Sequence, residues 1–336
     1  MKEEKFTKKK KPVVRRVLQI ALAAILALLV LNVCGTEISA HRIPHRFASA
    51  KEGRDRLLAN TRYYGQFTQN DIDYRMKKSG ATIDELLKAS ADEIGDFSLF
   101  DKYIIDRNIA RMARSLRKNG YELPKLQEIV YIRTDMTTEG IAASGYTHGN
   151  EIYLNSTNVL ASVIPGAGEY FYHLMWHELF HCLTRNNPDF RADMYSLIHF
   201  TVGDSDYEIP PCLQEKVYSN PDVEHHDSYA TFVIDGRETE CFVAWIVTED
   251  YAEGQSSRPD TMAVLVPTDG TDTYYSKEQV SNFDEVFGKN TDNVSDPEEC
   301  MADNFADAMQ YGMEGRNGQG YPNPEIIQGI IDILKK

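Results

Sequence analysis

The sequence predicts an α+β protein in which a block of helices is followed by two groups of strands and closed by helices. Three observations carry that reading. Apolar residues recur at three- and four-residue steps between about 60 and 120, among them Ile104, Ile105, Ile109, Met112 and Leu116. Short β-branched and aromatic runs stand between Gly, Asp and Ser turns at 128–134, 151–155, 229–234, 240–247 and 261–267. The stretch 169–184 (EYFYHLMWHELFHCLT) is apolar nearly all round, as a buried central helix would be.

The chain has 336 residues, 42% of them apolar, enough for a sizeable core. Its first 16 residues hold eight Lys/Arg against two Glu; the remainder holds 28 basic and 49 acidic side chains, a net charge of −21. So acidic a body repels phosphate backbones, which excludes nucleic acid as a partner. Behind the basic block, residues 17–33 (VLQIALAAILALLVLNV) are broken only by Gln19 and Asn32, the length expected of one helix crossing a lipid bilayer. The basic flank predicts a cytoplasmic N-terminus, a signal-anchor at 17–34 and everything after residue 35 outside the membrane. Cleavage as a signal peptide, releasing a secreted protein, is the competing reading; the apolar run is long for a signal, and Ile38 fills a place where a small residue is preferred.

Residues 35–58 are polar and basic and are expected to form a juxtamembrane stalk beside lipid headgroups. One domain, 59–336, is expected beyond it. The helical portion should end at Asn119-Gly120, and the two strands after it should be joined by a turn at Gly145–Asn150. Two helices close the chain at about 297–312 and 324–335, the second opened by Asn323-Pro324. An oxidising exterior would permit two disulfides among Cys182, Cys212, Cys241 and Cys300, in any of three pairings, and free buried thiols serve equally well.

Within the apolar helix, His177-Glu178-Leu179-Phe180-His181 matches H-E-x-x-H. Four-residue spacing puts both imidazoles on one helix face, where they can share one zinc ion, with the glutamate beside a water on it. The alternative, ordinary core histidines satisfied by hydrogen bonds, is strained, because a dry helix would then hold unpaired polar groups. Catalytic zinc takes a third protein ligand. The metzincin pattern is excluded by Thr184 and Asn187, where it needs Gly and His. An aspzincin pattern around Asp272 is out of step by one residue and lacks its closing Gly. In 296–303 (DPEECMAD), Glu299 and Asp303 stand four apart on an expected helix, so that Glu299 can ligate while Asp303 accepts a hydrogen bond from a ligating histidine. Glu298 would point about 100 degrees away. His173, one turn before His177, reads as core or support.

This combination resembles the gluzincins, the thermolysin-like zinc metallopeptidases. The resemblance covers the two motif helices and, more loosely, the strand before them; Glu299 follows His181 by 118 positions, more than in most of the family, which implies an insertion at about 200–290. It implies a zincin-like metallopeptidase domain, Zn2+ on His177, His181 and Glu299 with Asp303 behind, Glu178 activating water, and a peptide or protein as substrate. It also implies a His or Tyr that stabilises the oxyanion, for which 224–229 (EHHDSY) offers His226 and Tyr229, and an edge strand for substrate backbone, expected at 151–155. A site-2-type intramembrane protease is excluded by Arg185, Asp189 and Arg191 close after the motif. A catalytically inactive, membrane-anchored binding or scaffold domain that keeps zinc for structure is the remaining rival.

Overall fold

The computed structural model describes residues 43–139, 144–164, 166–255 and 259–335, together with residues 19, 21, 22 and 35. The apolar run at 17–33 therefore lies almost wholly outside the described residues; among those, no helix is long and apolar enough to cross a membrane.

The protein is α+β. Strand β1 (His45–Phe47) is followed by helices α1 (Ala50–Ala59), α2 (Thr61–Gly65), α3 (Gln69–Met76), α4 (Ile83–Asp92) and α5 (Leu99–Asn119). Then come β2 (Ile129–Thr134), β3 (Gly145–His148), β4 (Glu151–Asn155), α6 (Ser156–Ala161), α7 (Ala167–Asn186) and α8 (Pro188–Ser196). Strands β5 (Thr201–Val202), β6 (Ser228–Ile234), β7 (Arg237–Val247) and β8 (Thr261–Pro267) precede α9 (Phe283–Phe287), α10 (Pro297–Tyr311) and α11 (Pro324–Leu334). The first sheet has the order β1-β2-β4-β3, with β3 antiparallel to β4 and the other pairs parallel. The second sheet, β5-β6-β7-β8, is antiparallel throughout.

Local chemistry sets the helix ends. Ser98 and Asp101 form a reciprocal capping box at the start of α5, and Gly120, at φ 66°, closes it in the left-handed conformation that glycine adopts without strain. On α10, the Asp296 side chain accepts from the Glu298 N–H, and Pro297 occupies the first turn, where a missing N–H costs nothing. The main core joins α5, α7, α10 and α11 to one face of the first sheet, with Trp176, Phe180, Phe305 and Tyr131 fully enclosed.

Two expectations about this half of the molecule are corrected. Residues 43–58 are no stalk: β1 pairs in register with β2, Ile43 enters the core, and α1 packs on the same sheet. Only three residues long, and two of them His45 and Arg46, β1 has too little apolar pattern to read as a strand; its pairing partner makes it one. Likewise 145–148 is no turn but the edge strand β3, so β4, expected at the edge, lies between β2 and β3. The turn is confined to Gly149-Asn150.

Beside β3, Arg75 of α3 is buried with Asp71 (2.7 Å) and Glu139, and sits between the rings of Phe67 and Tyr218. Removing one member of such a group strands the others without a counter-charge. Arg75→Ala is therefore expected to destabilise the fold by about 3–5 kcal/mol, read as a lowered denaturant midpoint.

Candidate metal centre

Helices α7 and α10 run antiparallel and present facing rows of side chains one turn apart. His173 Nε2 meets Asp307 at 3.1 Å, His177 Nδ1 meets Asp303 at 2.9 Å, and His181 Nδ1 meets Glu298 at 2.8 Å. A carboxylate on Nδ1 leaves the Nε2 atoms of His177 and His181 as the free ends of their rings, in the tautomer suited to ligation. His177 Nε2 lies 3.3 Å from Glu299 Oε2. His181 Nε2 is enclosed and has no hydrogen-bond partner among the described residues. A buried polar atom left unpaired is costly, and a cation between these three side chains would satisfy it.

The ligand atoms of His177, His181 and Glu299 lie within 4.8 Å of one another. This pairing of two histidines with a glutamate fits a metal ion in donor type and in convergence. Further side chains hold Glu299 in place: Asn220 donates to its Oε1 (2.8 Å) and Asn293 to its Oε2 (2.7 Å). Thr291 donates to Asp303 at 2.6 Å, while Thr184 (2.6 Å) and Tyr195 donate to Glu298.

Glu178 points from α7 to β3, where Thr147 Oγ1 donates to its Oε2 at 2.7 Å. Strand alternation puts Gly145 and Thr147 on the face toward Glu178 and sends Tyr146 and His148 into an aromatic cluster with Tyr153. A Cβ at 145 would stand 2.7 Å from Glu178 Oε1, so glycine there lets Glu178 keep its position. Gly145, His177, Glu178 and Glu299 line a cleft of about 350 Å³, with Tyr170, His173 and Leu174 along one wall and Tyr218, Asn220, Asp222 and Trp245 along another.

The electrostatics show a site short of positive charge. Burial acts to lower the pKa of both histidines, yet that of His177 is raised by its hydrogen bonds to Asp303 and Glu299, and that of His181 by Asp222 and Glu298. Burial raises the Glu178 carboxyl above the usual carboxylate range, against the pull of His177 and His181. Burial also acts to raise Glu299, but its bond to His177 overrules this and keeps it ionised. Asp222 is pushed well up by burial, against the pull of His181 and with the repulsion of Glu178 and Glu299 added. A divalent ion would replace the protons this cluster draws onto its histidines.

The structure thus brings together His177, Glu178, His181, Glu299 and Asp303. It does not bring His226 or Tyr229 to the cleft. The His226 ring packs near Phe242 (5.9 Å between centroids), and Tyr229 sits in β6 opposite Thr201, near Tyr207. Asp272 lies at the surface, accepting from the Cys212 N–H. Among the described residues, Cys182, Cys212, Cys241 and Cys300 are unpaired thiols, only Cys212 exposed. The sequence reading missed Glu298 as the support of His181, and Thr147, Asn220 and Asp222. The segment that carries the last two is pinned to β7 by the bond from Tyr218 N–H to Trp245 C=O (2.9 Å); its one sequence signal was the turn-forming Asn220-Pro221-Asp222. Because Glu298 orients His181 without ligating, Glu298→Ala is expected to weaken metal binding about 10- to 100-fold, measured by competition with a chromophoric chelator.

Comparison with known proteins adds no relative: no family model matches the chain, and no curated protein or solved structure is similar to it.

Proposed function

We propose that this chain is a zinc-dependent peptidase of the zincin type, gluzincin-like in its ligand set, acting outside the cytoplasmic membrane. The observation that carries the reading is the convergence of His177 Nε2, His181 Nε2 and Glu299 on one point, with the Glu178 carboxylate beside it and an open cleft in front. Zinc fits the two-imidazole, one-carboxylate donor set and, when bound, supplies the Lewis acidity that polarises a carbonyl and acidifies a water. Glu178 then serves as the base: it takes the proton of the water whose oxygen joins the peptide carbon, and returns it to the nitrogen as the C–N bond breaks. Its burial suits it to both directions of transfer. Thr147 holds one carboxylate oxygen in line and Gly145 leaves room for the other.

Strand β3 supports the substrate side of the reading. The Ser144 C=O accepts from Asn155 N–H, so by antiparallel alternation the polar groups of Gly145 face away from β4, available to an extended peptide. Thr147 N–H, the next in that row, is already taken by Asp222 at 2.7 Å. Gly145→Ala is expected to lower kcat roughly 10²-fold by displacing Glu178, with metal content unchanged, as steady-state kinetics beside elemental analysis would show.

One observation favours a second reading. Asp222 Oδ1 lies 3.8 Å from His181 Nε2 and would complete a four-ligand, closed structural site. The commitment of Asp222 to Thr147 N–H and its nearness to Arg185 speak for a supporting role instead. The test is incubation of the full chain with a peptide mixture and mapping of new termini by mass spectrometry. Chelator-sensitive cleavage supports the peptidase; no cleavage, with metal lost in Asp222→Ala, supports the closed site.

A further inference from the structure

On a protein body of net charge −21, helix α5 is an exception, with six Lys/Arg against two Asp. Its outward face carries Phe100, Arg107, Arg111, Arg114 and Lys118 at helical spacing. Arg111 pairs with Glu169 at the start of α7; Arg107, Arg114 and Lys118 make no ion pair among the described residues. Acidic groups do stand nearby, but Asp106 is engaged by His45 and Asp101 by the Ser98 N–H.

Beside this basic stripe lies an apolar edge. Helix α6 packs on α5 and exposes Leu160 at 48%, and just beyond it, in the connection to α7, Val163 and Ile164 are exposed at 60% and 59%. The Arg111–Glu169 pair ties the α7 end of that connection to the middle of the stripe. Exposed aliphatic side chains flanked by unpaired cations form a surface suited to a lipid interface.

The path of the chain says which interface. Strand β1 lies against α5: His45 bonds Asp106 at 2.9 Å and Lys102 sits 5.5 Å from the Phe47 ring centre. Only residues 34–42 separate the apolar run from Ile43 in the core, a reach of at most about 35 Å. On the reading of residues 17–33 as a bilayer span, that reach keeps Ile43, and the basic face beside it, within about 35 Å of the lipid.

We propose that this face, formed by α5 and the α6–α7 connection, docks on the anionic phospholipid surface of the bilayer that residues 17–33 are read to span. The inference rests on that reading and not on the peptidase reading. Tyr170, which lines the cleft, lies one turn into α7 from the exposed Val163 and Ile164, so docking would also hold the cleft close to the headgroups.

The test uses the full chain in vesicles carrying brominated lipids, with tryptophan placed by Ile164→Trp and, as a control on the second sheet, by Glu238→Trp. Ile164→Trp should be quenched in phosphatidylglycerol vesicles and released by salt, and Glu238→Trp should not be quenched. Arg107→Glu, Arg114→Glu and Lys118→Glu together should abolish the quenching, docking weakening roughly fivefold per cation removed. If the chain floats with the vesicles, resists carbonate extraction and yet shows no Ile164→Trp quenching, the docking face is overturned and the anchor stands; cross-links between chains through this face would then assign it to a second copy. Quenching that carbonate extraction ends would keep the docking face and overturn the anchor. A chain that does not float at all would overturn both.

Discussion

Glu178→Gln is expected to lower peptide hydrolysis by about 10²–10⁴-fold while the metal stays bound. Glutamine keeps the shape that fits between Gly145 and Thr147 and can still meet the Thr147 hydroxyl, so β3 and α7 should not move. What it removes is the capacity to take a proton from water and return it to the leaving amine. None of the three converging ligand atoms belongs to residue 178. A variant that loses activity and metal together would show Glu178 to be a structural member of the cluster. One that keeps activity would place the base elsewhere, with Asp222 the nearest alternative.

Glu299→Ala should act at a different level, removing metal and activity in one step. The carboxylate is buried and ionised, and two asparagines hold it against His177. In the proposed site its loss would remove a direct ligand, so binding should weaken by more than the roughly 10- to 100-fold expected for an outer partner such as Glu298. It also leaves Asn220 and Asn293 without their acceptor. Ligand binding stabilises whichever state it prefers, so thermal unfolding gives a second readout. The unsubstituted chain should melt lower in chelator, and Glu299→Ala should not respond. A variant with full metal affinity would move the third ligand to Asp222, which is within reach of His181.

These expectations could be framed from the sequence because the chemistry has a recognisable spacing. Two imidazoles four residues apart share one helix face and so can share an ion, and a carboxylate ligand and the carboxylate that accepts from a ligating histidine can take the same spacing on the facing helix. His177, His181, Glu299 and Asp303 keep that spacing and meet in the structure. Glu298 was set aside because a one-residue step turns it away from His177. The turn carries it to His181, a partner that only the antiparallel register of α7 and α10 reveals.

The 218–222 segment was illegible for another reason. Residue type favoured His226 and Tyr229, whereas the fold delivers Asn220 and Asp222, pinned by pairing with β7 far along the chain. Strands β1 and β3 were missed because their strand character comes from neighbours: β1 is three residues long, and β3 contains the glycine that Glu178 requires. The apolar helix α7 and the strands β6, β7 and β8, whose β-branched and aromatic runs are largely buried, were legible without help.

The most direct test of the account is a count of metal in the purified, unsubstituted full chain by elemental mass spectrometry after exchange into metal-free buffer. One zinc per chain, released by chelator and restored by zinc alone, is the predicted result. A cooperatively folded chain that takes up no metal, with His177, His181 and Glu299 satisfied by one another, would contradict it and leave the cleft as a binding surface without this chemistry.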